Sequence, residues 1–262
     1  MIKNLTFTNN IYMKIKKFLI TILLIFTAFL PVKVRALSNQ KERKIIFQTE
    51  INLLGDEQVE TIILSGVEKQ ESPFYEDIKI TVFEQRSGKL LYSLSPNVNY
   101  GYEPKLSLVD FDLDGVFEVF YSAESGAVNK GGYFYVYTFN NDIVTLYDFE
   151  VDVNLFTAKY QNYYKVAVKG GEKEFLIDIS SRGDKYLSKL YTKNAKLQKQ
   201  TLASVSGVNM VIPYYNYLKN EYIIKVVRKV SGENISDVIC KAVTDLEFVD
   251  NKFKVKTTYV EI

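Results

Sequence analysis

Four acidic side chains fall within nine residues, in the stretch Asp-Phe-Asp-Leu-Asp-Gly-Val-Phe-Glu that begins at Asp110. Carboxylates this dense repel one another unless a cation lies among them, and hard oxygen ligands suit calcium. The alternate aspartates can converge on one ion, because Gly115 at the sixth position lets the backbone turn sharply. A backbone carbonyl and the final glutamate would complete the shell. The sequence therefore predicts a calcium site formed by Asp110, Asp112, Asp114, Val116 and Glu118.

A second, degenerate copy of this stretch begins 58 residues earlier, at Asn52. Its third position is Leu54 instead of a ligand, and its sixth is Glu57 instead of glycine. Asn52, Asp56 and Glu60 remain as a weaker second candidate site. The shared spacing indicates an internal repeat.

The acidic stretch begins like an EF-hand but lacks the bidentate glutamate that an EF-hand needs at position twelve, where Tyr121 stands. The pattern Asp-x-Asp-x-Asp-Gly-x-x-Glu, between Leu106–Val109 and Val119–Tyr121, resembles the calcium loops of integrin-α-type FG-GAP and VCBS repeats. The resemblance implies a blade of a secreted bacterial β-propeller, with calcium held at positions one, three, five, seven and nine. That family usually has aspartate at the ninth position, so Glu118 is a departure.

The elements that must position this loop are predicted to be strands. Abundant aromatic and β-branched residues favour a pleated sheet, and turn residues divide the chain into four sets of strand segments, within 44–94, 105–149, 151–191 and 209–262. Repeated four-stranded units are typical of propeller blades. We expect an all-β protein with about four four-stranded antiparallel blades. A β-sandwich or stacked sheets is the alternative, and 37–262 is expected to be a single domain.

The composition disfavours most hydrolases. The chain has no histidine, which removes Ser-His and Cys-His catalytic pairs and the commonest zinc ligand. Cys240 is the single cysteine, so it has no internal disulfide partner, and we expect it to be a buried thiol. An enzyme that acts on polysaccharide or cell wall through carboxylates alone remains the alternative. Asp148, Glu150 and Asp152 offer such carboxylates, although a solvated strand end is the simpler interpretation.

Two further motifs have simple structural interpretations. Arg182-Gly183-Asp184 spells an adhesion tripeptide, but the same residues form good turns. Tyr214, Tyr215 and Tyr217 either pack against neighbouring strands or offer a ligand platform.

Residues 1–36 have the parts of a secretory signal peptide, with Met13 as an alternative start before a basic segment and an apolar run. An uncleaved anchor is the alternative, and no membrane span is expected after cleavage. Of the 33 basic residues, six lie in 1–36, so 37–262 has 27 basic and 31 acidic side chains. This balance disfavours nucleic-acid binding. The sequence predicts a secreted or cell-surface, non-catalytic protein that binds an extracellular or envelope ligand, with calcium in a mainly structural role.

Overall fold

The computed structural model describes residues 42–69, 72–139, 144–152, 156–250 and 252–262. Residues 42–262 form one compact unit. The predicted signal peptide, 1–36, and its alternative start at Met13 lie outside the described residues. Within the described ranges, no helix is both long enough and apolar enough to cross a membrane.

Eight strands form the first sheet, in which every pairing is antiparallel. Their order is β1-β2-β3-β5-β6-β7-β8, and β4 pairs with the far end of β3. β1 also contacts β5, so the sheet curls around its own core. The strands are β1 (Arg43–Ile51), β2 (Glu60–Glu68), β3 (Phe74–Glu84), β4 (Leu90–Leu94), β5 (Gly101–Val109), β6 (Glu118–Glu124), β7 (Gly132–Thr138) and β8 (Val144–Asp148), followed by the short helix α1 (Phe149–Asp152).

The second sheet contains seven antiparallel strands in the order β11-β10-β9-β12-β13-β14-β15. A single 3-10 turn, Ser180–Arg182, and helix α2 (Asp184–Leu190) follow β11. The strands are β9 (Phe156–Gln161), β10 (Lys165–Gly170), β11 (Lys173–Asp178), β12 (Leu202–Asn216), β13 (Glu221–Ser231), β14 (Val238–Val249) and β15 (Lys252–Glu261).

Side chains alternate between the two faces of the central strands, and those on one face pack between the two sheets. On β6, Val119 and Tyr121 face the interior of the curled first sheet, while Phe120 between them faces the second sheet. Val211 and Val226 of the second sheet belong to that same shared core. A separate core lies against β9 to β11 and α2. Burial on both faces explains why β6 contains the continuous apolar run Val119–Tyr121 instead of alternating apolar and polar residues there.

The prediction of an all-β protein is confirmed, but the described strands do not form four propeller blades. The described strands pair into two sheets, one of eight strands and one of seven. The last strand segment of the third predicted set, 151–191, was expected at Tyr186–Tyr191, and this is also wrong, because residues Asp184–Leu190 form α2. Gly183, with φ of 79°, turns the chain into this helix, and buried Leu187 packs it against the second sheet. Asp184 in the first turn and Lys189 in the last suit the helix dipole.

Candidate metal centre

Two loops of the first sheet have the same construction. Ile51 pairs with Glu60 across the β1–β2 loop, and Val109 pairs with Glu118 across the β5–β6 loop. Each connection therefore has eight residues, 52–59 and 110–117. The internal repeat predicted from the 58-residue spacing is confirmed as a repeated strand–loop–strand unit.

The two loops also share a backbone conformation. The fourth and sixth positions have positive φ in both, with values of 72° and 64° at Gly55 and Glu57, and 62° and 90° at Leu113 and Gly115. Each loop thus has a glycine at one of these positions and a larger residue at the other. The loops touch, because a Cβ atom on Gly55 would lie 2.8 Å from Cγ2 of Val116.

The glutamate at the ninth position of each loop fixes the beginning of that loop through backbone hydrogen bonds. Oε2 of Glu118 accepts a hydrogen bond of 3.0 Å from the backbone N–H of Phe111. Oε2 of Glu60 accepts bonds of 2.8 and 3.3 Å from the backbone N–H groups of Leu53 and Leu54. Both glutamates are buried, so these bonds satisfy carboxylates that have lost water.

The structure brings together the three aspartates of the β5–β6 loop. One carboxylate oxygen from each of Asp110, Asp112 and Asp114 lies within 4.8 Å of the others. The carboxylate of Asp110 also accepts bonds from the N–H groups of Asp114 and Gly115, at 3.1 and 2.9 Å. Asp114 Oδ1 accepts a bond of 2.8 Å from the N–H of Val116. Glu118 is not a member of this triad.

Burial and like charge make this loop electrostatically costly. Partial burial, together with the charges of Asp114 and Asp110, raises the pKa of Asp112. Burial raises the pKa of Glu118 to about 7, and the charges of Asp112 and Asp114 add to this effect, while the bond from Phe111 opposes it. A bound cation would offset the repulsion between these carboxylates.

In the weaker second site, the candidate ligand oxygens already accept hydrogen bonds from backbone N–H groups of their own loop. Asn52 Oδ1 accepts a bond of 2.8 Å from the Gly55 N–H, and Asp56 Oδ1 accepts one of 3.1 Å from the Gln58 N–H. Glu60 is bonded as described above. Calcium at Asn52, Asp56 and Glu60 therefore stays a prediction.

Phe111 anchors the acidic loop on the second sheet, which sequence reasoning missed. Its buried ring lies edge-on to Phe253 and Tyr222, with ring centroids 5.1 and 6.0 Å away, and 6.2 Å from Phe248. The available signal was an aromatic residue between two aspartates, since alternate positions of an extended chain point in opposite directions. The loop therefore has its aspartates on one side and a buried aromatic ring on the other.

The carboxylates considered for catalysis lie at the junction of the two sheets. Glu150 Oε2 accepts a bond of 3.0 Å from the Val208 N–H, and Glu150 also approaches Lys130 at 3.6 Å and buried Arg228 at 3.8 Å. Asp148 and Glu150 line a pocket of about 180 Å³ with Tyr133. The side chain of Asp152 lies outside the described residues.

The adhesion tripeptide is a turn, as predicted. Arg182 ends the 3-10 turn and Asp184 begins α2. The guanidinium of Arg182 forms an ion pair with Asp237, whose other oxygen accepts a bond of 2.7 Å from the Tyr186 hydroxyl. The tripeptide therefore joins α2 to the second sheet.

Residues 154–261 match the family described as the YybI C-terminal domain. The chain is 23% identical over 218 residues to "Uncharacterized protein YybI" of Bacillus subtilis (strain 168), an alignment that covers 80% of this chain and 82% of YybI. No solved structure matches the chain. The matched family region covers β9 to β15, and the acidic loop lies before it.

The resemblance to FG-GAP and VCBS repeats is therefore wrong. The family found is the YybI C-terminal domain, and the relative found is YybI. The acidic pattern misled because a short run of aspartates and one glycine suits any tight, oxygen-rich loop between strands.

Proposed function

We propose that this chain is an exported, non-catalytic binding protein built as two stacked β-sheets, with structural calcium in its β5–β6 loop. One observation carries the proposal: oxygens of Asp110, Asp112 and Asp114 lie within 4.8 Å of one another. Calcium takes six to eight oxygen ligands in flexible geometry, and carboxylates are its usual partners. The Val116 carbonyl and Glu118 are the proposed remainder of the shell.

The β1–β2 loop provides an internal comparison that supports calcium. It has the same two positive-φ positions, although Leu54 stands where the acidic loop has Asp112. The loop conformation therefore does not require three aspartates. Because like charges this close destabilise a loop that lacks a cation, we attribute their presence to an ion that they bind.

Calcium that binds only the folded chain should raise its melting temperature. At a calcium concentration about 100 times Kd, the stabilisation is about 2.7 kcal/mol. For a folded unit of this size, that corresponds to roughly 5 to 11 °C. We expect this difference between melts in excess calcium and in chelator.

Two matched variants distinguish the ion from a general effect of charge. Asp114→Asn removes a proposed ligand charge, and Asp56→Asn changes the equivalent position of the other loop. In both loops, Oδ1 of this residue accepts a bond from the N–H two residues later, which asparagine can keep. Because an asparagine oxygen can still coordinate calcium but carries no charge, we expect Asp114→Asn to reduce the calcium-dependent shift and Asp56→Asn to leave it unchanged. Equal melting temperatures of the native chain in calcium and chelator would overturn the structural role of calcium.

The proposed location is outside the cell or at its surface, with an extracellular or envelope partner. The support for this is the basic and apolar pattern of residues 13–36. N-terminal sequencing of exported protein tests it, and a start near Leu37 is expected.

A carboxylate enzyme is the second candidate, because Asp148 and Glu150 share a pocket with an aromatic ring. Its test is a screen of the purified protein on wall and storage glycans. Turnover that Asp148→Asn abolishes would favour the enzyme, whereas no turnover on any glycan favours the binding protein.

A further inference from the structure

One end of the second sheet has an excess of positive charge. β9, β11 and β13 end there, and β10, β12 and β14 begin there. Six basic and three acidic side chains lie in the three connections at this end, residues 162–164, 179–201 and 232–237. The rest of the chain after residue 36 has 21 basic and 28 acidic side chains, so the positive charge is local. The charged strand ends beside these connections, Lys165 with Asp178 and Lys241 with Glu261, form ion pairs.

The acidic side chains of these connections leave most of the lysines unpaired. Asp237 pairs with Arg182, and Glu233 pairs with Lys189 at 2.8 Å. Asp184 is the third acidic residue. Among the described residues, the remaining lysines of these connections have no ion pair, and all four are exposed: Lys185, Lys193, Lys196 and Lys199.

The segment after α2 that contains three of these lysines has a defined conformation. The N–H of Thr192 donates a bond of 2.8 Å to the carbonyl of Lys196. Nε2 of Gln198 donates a bond of 2.9 Å to the carbonyl of Tyr191, just after α2. The backbone around Lys193 is therefore ordered before any ligand binds, which lowers the entropic cost of binding.

A pocket of about 280 Å³ lies beside this lysine turn, between α2 and the β9–β10 connection. Its aromatic lining is formed by Tyr164 and Tyr191, whose ring centroids are 5.0 Å apart. Its polar lining combines a carboxylate, two hydroxyls and an ammonium group, from Asp184, Ser188, Thr192 and Lys193. A pocket with aromatic surface and a few polar groups is the usual form of a small-ligand site.

A second aromatic ring lies next to the lysine turn. Tyr163 is 68% exposed, and its backbone N–H donates a bond of 2.7 Å to the carbonyl of Ala195. Tyr163 and Tyr164 both have positive φ, 63° and 56°, a conformation that is costly for bulky residues and favours glycine or asparagine. Because strained positions of this kind concentrate at ligand sites, we attribute the two tyrosines to a use of their rings.

We propose that this end of the second sheet binds an acidic polysaccharide, with one sugar ring in the pocket. A sugar ring packs its C–H groups on aromatic side chains and hydrogen-bonds its hydroxyls to groups such as Asp184 and Ser188. Lys193 would pair with the acid group of the sugar in the pocket. Lys196 and Lys199 would face the acid groups of adjoining sugars. A ligand with repeated negative charge matches the repeated lysines.

The choice of a glycan over a nucleic acid rests in part on the proposed function, because an exported protein meets envelope polysaccharide. The pocket gives a separate reason. Asp184 would repel a phosphate group that entered it, whereas a sugar hydroxyl can donate a hydrogen bond to the same carboxylate. The positive charge and the pocket themselves do not depend on export.

Titration calorimetry of the purified protein tests the site. The acidic probes are hexagalacturonate, which carries carboxylates, and a heparin hexasaccharide, which also carries sulfates. Maltohexaose is the neutral glycan, and oligothymidylate is the nucleic acid. All titrations contain chelator, because acidic glycans themselves bind calcium. The variants are Lys193→Gln and Ser188→Leu at the pocket, with Lys169→Gln as the control, an exposed lysine near the other end of β10.

We expect at least one acidic glycan to bind at least tenfold more tightly than maltohexaose and oligothymidylate, and to bind more weakly as salt is raised. Lys193→Gln removes the charge that faces the acid group. Ser188→Leu fills the pocket with a residue that suits a helix. Each of these variants should weaken binding about tenfold, and Lys169→Gln should leave it unchanged.

The alternative outcomes are distinct. No binding of either acidic glycan, or binding that Lys193→Gln leaves unchanged, would overturn the site. Oligothymidylate bound as tightly as the acidic glycans, with no effect of Ser188→Leu, would overturn the glycan and assign a general polyanion surface. Should Ser188→Leu fail to fold, Lys193→Gln, an exposed turn position, decides. Glycan binding by a chain that is not exported would contradict the proposed location and leave the site standing, whereas an exported chain that binds no acidic glycan would contradict the site alone.

Discussion

Replacing Phe111 with alanine tests how firmly the acidic loop is fixed to the second sheet. The ring is buried and contacts Tyr222, Phe248 and Phe253 at centroid distances of 5.1 to 6.2 Å. Truncating such a phenylalanine removes its transfer free energy and leaves a cavity, so we expect a loss of about 3 to 5 kcal/mol of unfolding free energy. A loss of this size is a large part of the stability of an ordinary domain.

The assay is urea denaturation followed by tyrosine fluorescence, which suits a chain with 20 tyrosines and no tryptophan. For an m-value of about 2 kcal/mol/M, the midpoint should fall by roughly 1.5 to 2.5 M. Leu113→Ala is the control, because Leu113 is in the same loop but exposed, and its change should stay within about 0.5 kcal/mol. A Phe111→Ala protein as stable as the control would refute the anchoring role of this ring.

Three further predictions follow from packing and charge. Gly55→Ala should destabilise the fold by roughly 1 to 3 kcal/mol more than Gly88→Ala in urea melts, because both glycines have positive φ but only Gly55 has an atom within 4 Å of the added Cβ. Glu150→Ala should cost about 3 kcal/mol in the same assay by leaving buried Arg228 without that carboxylate; a cost below about 0.5 kcal/mol would contradict this. Burial raises the pKa of the Cys240 thiol to about 11, so a thiol reagent at pH 8 should label only unfolded protein, and stability should fall as pH rises from 9 towards 11; rapid native labelling would contradict the burial.

The strands were largely predictable because their pattern is local. β-Branched and aromatic runs between turn residues predicted four sets of strand segments, and the described strands largely overlap those ranges. The repeat of the two loops was also visible, since both ends of each loop are fixed by strand pairing.

The pairing of strands into two sheets was not predictable from the same pattern. β3 divides its length between β4 and β5, and β9 pairs with β12 across an intervening helix. Such pairings depend on contacts between residues distant in the sequence, and the periodicity of hydrophobic residues along a strand does not specify them. The helix α2 was missed because seven residues are too few for a clear helical period.

Part of the candidate site followed from residue spacing and part did not. Alternate aspartates and a glycine correctly indicated that Asp110, Asp112 and Asp114 converge. Two features depend on tertiary packing and could not be predicted from residue spacing alone. They are the hydrogen bond from the Phe111 N–H to Glu118 and the contact of Phe111 with the second sheet.

Isothermal titration of the purified protein with calcium tests the central claim most directly. We predict saturable heat with one equivalent for the β5–β6 loop, with an affinity that Asp114→Asn weakens and Asp56→Asn leaves unchanged. A second equivalent that Asp56→Asn removes would assign calcium to the β1–β2 loop as well. No binding heat in the native protein at several temperatures, or heat unchanged by Asp114→Asn, would contradict calcium at the aspartate triad.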